Sequence, residues 1–110
     1  MAESSKAHSQ AHEIAKILGQ LFEPLKIYHY GSRTQGKETS ASDYDFVVVV
    51  AQTNRSRWDN HELAKRAVIE KLGLLADVWV YTESDFNEWK DDFSSIPEKA
   101  LNTGLEISLG

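Results

Sequence analysis

The chain has no cysteine at all, and that absence removes two function classes at once. Without thiols there is neither a disulfide framework nor a thiolate metal site, which fits a reducing compartment such as the cytoplasm. Long apolar runs are missing too. The longest, Phe46 to Ala51, is far short of the ~20 residues that span a bilayer, so no membrane role is expected. The N-terminal stretch MAESSKAHSQAH is polar, with no apolar core of the kind a secretory signal needs. Basic residues are also scarce: 12 Lys and Arg stand against 17 Asp and Glu, for a formal charge of −5. They are scattered in pairs such as Arg55/Arg57 and Lys65/Arg66 rather than gathered in a stripe. Proteins that grip a polynucleotide exchange such a stripe for phosphate counterions, so a long nucleic acid is not expected as a partner.

What is present suits one small domain over residues 1–110, since domains run most often to about 100–150 residues. From Glu3 to Phe22, apolar residues recur at three- and four-residue spacings (Ala7, Ala11, Ile14, Leu18, Leu21, Phe22), and Pro24 follows. That pattern predicts an amphipathic helix and its end. Leu25–Tyr30 reads as a strand, broken by Gly31, and the polar stretch GSRTQGKETSAS reads as a loop. Asp43–Val50 is the clearest strand. Its unbroken tail of Phe46 and four valines predicts burial on both faces and hence a central position. A helix over Trp58–Leu72 follows, with Leu63, Ala67 and Leu72 as core positions and Gly73 as its C-terminal cap. Ala76–Tyr81 is a third strand. Ser84–Phe93 and Ile96–Thr103 read as short helices capped by serine or threonine, and the tail Leu105–Leu109 as an edge strand. The sum is an α/β (α+β) domain, a small mixed twisted sheet with flanking helices. The pattern does not say which strands run parallel.

Three acids interrupt the strands. Asp43 and Asp45 lie two apart, so the alternation of a strand puts both carboxylates on one face, with Tyr44 and Phe46 on the other. Asp is a poor strand residue, and two like charges beside a buried valine run would repel each other and lose hydration. A divalent cation resolves both costs, and oxygen-only ligands select Mg²⁺ or Mn²⁺. Read alone, the pair also fits a solvated strand start shaped by Ser42 and Asp43. Asp77, the second residue of the third strand, supplies a third acid if that strand lies beside the Asp43 strand. Three converging acids can hold two metal ions, which clamp both oxygens of an in-line phosphoryl displacement. Gly31-Ser32 follows a strand: glycine lets backbone approach a ligand closely, and free amides with the Ser32 hydroxyl form an anion site to which Arg33 adds charge. Read alone, it is a simple turn. His8, His12, His29 and His61 lack ligand spacing, and Trp58, Trp79 and Trp89 read as core or interface aromatics.

Gly31-Ser32, ten intervening residues, Asp43-x-Asp45 opening a strand, and Asp77 in a later strand together resemble the DNA polymerase beta-type nucleotidyltransferase superfamily. More narrowly, GSRTQGKETSASDYDFVVVV is similar to its minimal nucleotidyltransferase branch. The resemblance implies the nucleotidyltransferase fold. It also implies metal binding and catalysis by Asp43, Asp45 and Asp77, and phosphate binding by Gly31 and Ser32. The expected reaction moves a nucleoside monophosphate, AMP from ATP, to a hydroxyl and releases pyrophosphate. Minimal members commonly pair with a helical HEPN-domain toxin, and some act as antitoxins by adding AMP to a tyrosine of that partner. Two other readings stand beside this one: a binding module that neutralises its partner by contact, and a transferase for a small molecule such as an aminoglycoside, with a homo-oligomer supplying the acceptor site.

Overall fold

The structure, a computed structural model, describes residues 2–31 and 44–108, with side chains from residue 9 onward. Its elements in chain order are α1 (Ala2–Phe22), β1 (Lys26–Tyr30), β2 (Tyr44–Val50), α2 (Arg57–Leu72), β3 (Ala76–Thr82), α3 (Glu83–Trp89), α4 (Ile96–Thr103) and β4 (Leu105–Glu106). The strands form one mixed sheet in the order β3-β2-β1-β4. β1 pairs antiparallel with β2 and with β4, whereas β2 and β3 are parallel and joined through α2.

β2 is central, as its valine run predicts, and it feeds both faces. Tyr44, Phe46, Val48 and Val50 join Val78 and Val80 of β3 in a core covered by Ile14 and Leu18 of α1 and Ala64 and Val68 of α2. Val47 and Val49 face the other way, with Tyr28, Tyr30 and Tyr81, against Phe86 of α3 and Ala100 of α4. Phe86 stacks on Tyr28 at 5.6 Å with the rings 3° from parallel. Helices on both faces explain why this strand can be apolar throughout.

Local signals place the helix ends. Ser56, Thr82 and Ser95 are extended N-caps whose hydroxyls accept from the amides of Asp59, Asp85 and Glu98. Gly73 closes α2 in the left-handed conformation, φ 67°, and donates to Ile69 O. Three expectations need correction. The buried face of α2 carries Asn60, His61, Ala64 and Val68; Ala67 and Leu72 are partly covered and pack against the core as expected, whereas Leu63 does not join it. α3 stops at Trp89 instead of Phe93: the chain turns through 90–95, Ser94 takes φ 69°, and Phe93 is 88 % exposed. The terminal strand is two residues long and pairs with β1 at Tyr28 and His29, and just beyond it Ile107 N donates to Ile27 O at 2.9 Å.

Candidate functional site

Sheet register assembles the site. Tyr30 of β1 is opposite Asp45 of β2, and Asp45 is in turn the partner of Asp77 on β3. Paired residues of neighbouring strands project to the same side, so a tyrosine and two carboxylates form one row across three strands at the ~4.8 Å strand spacing. The next row, Tyr28, Val47 and Trp79, lies over the α3/α4 side of the sheet. The acids therefore stand one row beyond the packed apolar floor, where β1 ends and β2 and β3 begin.

Gly31 follows Tyr30 with φ 94°, a conformation that L side chains rarely adopt. A Cβ at this position would lie 2.3 Å from Asp45 Oδ2. The Asp45 carboxylate thus packs against bare backbone, and only glycine leaves it room. Tyr30 is buried, and its phenol is held above its ordinary value, first by burial and then by the charges of Asp45 and Asp77. Its proton therefore stays put, and the hydroxyl is a neutral wall of the site.

Asp77 is bound on both oxygens. His61 Nε2 lies 2.6 Å from Oδ1, and the Trp79 indole N–H donates to Oδ2 at 3.3 Å. Since Trp79 and Asp77 share the α3/α4 side of β3, these contacts show the start of α2 reaching round the edge strand. Arg57, one turn earlier, confirms the path: its guanidinium sits 4.4 Å above the Tyr81 ring and pairs with Asp85 at 3.6 Å. A helix end wrapped round β3 also shields an edge that would otherwise invite further pairing.

Of the residues expected at the site, Gly31, Asp45 and Asp77 come together as described. Ser32, Arg33 and Asp43 lie outside the described residues. Among the described residues no group of three or more His, Cys, Asp or Glu side chains is placed to hold a metal ion. Asp45 and Asp77 side by side nonetheless suit a hard cation, because Mg²⁺ characteristically takes one or two carboxylates and completes its shell with phosphate and water. Sequence reasoning missed Tyr30, His61 and Trp79. The spacing of the histidines carried no signal for His61, since its contact with Asp77 depends on the course of α2.

A glycine turn packs against one carboxylate, and a second carboxylate stands in register with it on a parallel strand. The chain belongs to the nucleotidyltransferase domain family, whose match runs over residues 11–104. The minimal branch that the motif resembles fits this membership. Among solved structures, the chain is similar to a protein from Sulfolobus solfataricus assigned as a nucleotidyltransferase, with a TM-score of 0.57 and 21 % identity over 79 % of this chain and 77 % of that one. That likeness shows the shared fold. No match was found among curated proteins.

Proposed function

We propose that this nucleotidyltransferase moves AMP from ATP to a hydroxyl of a partner protein, with Mg²⁺ or Mn²⁺ as cofactor, and that the partner is a helical HEPN-type toxin whose activity the transfer silences. The observation that carries the reading is the register of Asp45 with Asp77 beside the bare backbone of Gly31. Asp45 and Asp77, with Asp43 ahead of them in the sequence, would hold the cation. Once bound, the cation neutralises triphosphate charge and polarises the phosphoryl oxygens. Gly31 lets the Asp45 carboxylate lie against its bare backbone, and the amide and hydroxyl of Ser32 would hold phosphate, with Arg33 adding charge. Asp77 is on β3, at one edge of the sheet, and would orient the attacking hydroxyl. The acceptor oxygen bonds to the α-phosphorus, the bond from that phosphorus to the pyrophosphate oxygen breaks, and the hydroxyl proton passes to the Asp77 carboxylate or to solvent water. Positioning and charge stabilisation supply most of the acceleration in such transfers.

A protein acceptor is favoured over a polynucleotide by the net charge of −5, which repels phosphate backbones. Exposed Trp89 and Phe93 offer apolar surface of the kind enriched at protein interfaces. The setting is the cytoplasm, and no described helix is long and apolar enough to cross a membrane. The test is intact-mass spectrometry of a HEPN-type protein from the same organism, after incubation with this chain, ATP and Mg²⁺. Each AMP adds about 329 Da, on tyrosine in the expected case, and Asp45→Ala abolishes the gain. A partner that gains no mass yet is neutralised equally well by Asp45→Ala would establish inhibition by contact instead.

A further inference from the structure

Asp77 arrives at the site already oriented, and the group that orients it is not among the acids. His61 stacks on Trp79 with ring centroids 4.2 Å apart and on Trp58 at 5.2 Å. Its side chain is 9 % exposed against 38 % for Asp77, so the histidine is the fixed partner and the carboxylate the accessible one. An ionised carboxylate can only accept, so Nε2 carries the proton of this bond. Nδ1 is buried and has no hydrogen-bond partner among the described residues, which leaves Asp77 as the destination of the ring's polarity. The Trp79 indole N–H occupies Oδ2. A carboxylate has roughly four lone-pair sites, so one donor on each oxygen locks the rotamer and, among the described residues, leaves one site per oxygen for a cation.

From this geometry we infer that His61 is a positioning residue. Clamped by Trp58 and Trp79, it fixes the Asp77 carboxylate so that the free lone pairs are presented to the cation. The inference rests on the reading of Asp77 as a metal ligand given above. Ligating carboxylates held by outer hydrogen bonds lose roughly 10–100-fold in metal affinity when the outer partner is removed. A merely structural His61 would affect stability and leave the affinity of the folded protein alone.

Mn²⁺ binding by the full chain, read by electron paramagnetic resonance without nucleotide, separates these cases. Fold is checked on each variant by circular dichroism. His61→Phe keeps an aromatic ring in the stack and removes the donor, and is expected to weaken Mn²⁺ binding about 10–100-fold. His61→Gln puts an amide donor near the Nε2 position and should stay within about threefold of the parent, while His61→Asn, whose shorter amide falls nearer Nδ1, should weaken binding like Phe. Asp77→Asn weakens it at least as much. Loss in Asp77→Asn with full affinity in folded His61→Phe overturns the inference and leaves the metal reading intact. Equal loss in Gln and Asn variants overturns it as well, since ring packing would then be what matters; this pair decides the question should the Phe variant not fold. Unchanged affinity in Asp77→Asn removes Asp77 from the metal site altogether, and the proposed function fails at that residue.

Discussion

Replacing Gly31 by alanine separates the backbone requirement of the site from the chemistry built on it. Two costs act. Placing an L residue at φ 94° costs about 1–2 kcal/mol. The new Cβ would also stand 2.3 Å from Asp45 Oδ2, so the carboxylate must leave its rotamer, at about 0.5–1.5 kcal/mol. Alanine returns about 0.4–1 kcal/mol by restricting the unfolded chain. The net loss is about 2 kcal/mol, or about 8 °C in Tm for a domain near this size. Gly73→Ala is the natural control, because Gly73 has φ 67° and nothing within 4 Å of a built Cβ; it bears the backbone cost alone and should lose about 1 kcal/mol or less. Urea unfolding of both variants, each also in an Asp45→Ala background, gives the coupling directly. In that background most of the excess cost of Gly31→Ala disappears. Equal costs for the two glycines, with no coupling to Asp45, would refute the close approach on which the site is built.

The Tyr30 phenol gives a pH test. Its folded value is raised above the ordinary 10.0 by burial and then by Asp45 and Asp77, so the folded state keeps a proton that the unfolded chain releases. The associated stability is complete below about pH 10 and is lost as pH climbs beyond it. Stability measured from about pH 9 to about pH 11 should therefore fall more steeply for the parent than for Tyr30→Phe; parallel slopes would contradict the buried setting of Tyr30. Ser56→Ala, which removes the cap accepting from Asp59 N at 3.0 Å, should cost about 1 kcal/mol in thermal unfolding. A loss well below that would mean that the α2 N-terminus, and with it the path of His61, does not depend on the cap.

Much of the sheet was legible because its signals are local. Four consecutive valines after Phe46 require cover on two faces, and β2 has it. Gly73 and the hydroxyl residues 56, 82 and 95 fix helix ends within a turn of themselves. The pairing of Asp45 with Asp77 was anticipated only conditionally, since neither residue states that β2 and β3 are neighbours; the α2 crossover settles that they are, and that they run parallel. What stayed hidden depends on the path of the chain. His61 and Asp77 are 16 residues apart and meet because α2 curls round an edge strand. The burial of Asn60 and His61 in place of Leu63 reverses what hydropathy suggests, because polar residues there face one another: Asn60 donates to Thr53 Oγ1 at 3.1 Å. Tyr30 looked like one more strand aromatic until the register set it beside Asp45.

The central claim, that Asp45 and Asp77 serve a cation that brings in a nucleoside triphosphate, is tested most directly by calorimetric titration with ATP in Mg²⁺ and in chelator. Binding should be far tighter in Mg²⁺, and at a hundredfold excess over the dissociation constant it should stabilise the fold by about 2.7 kcal/mol. The metal-dependent gain should vanish in Asp45→Asn. ATP bound equally well in chelator, or a gain in Mg²⁺ that survives Asp45→Asn, would contradict it.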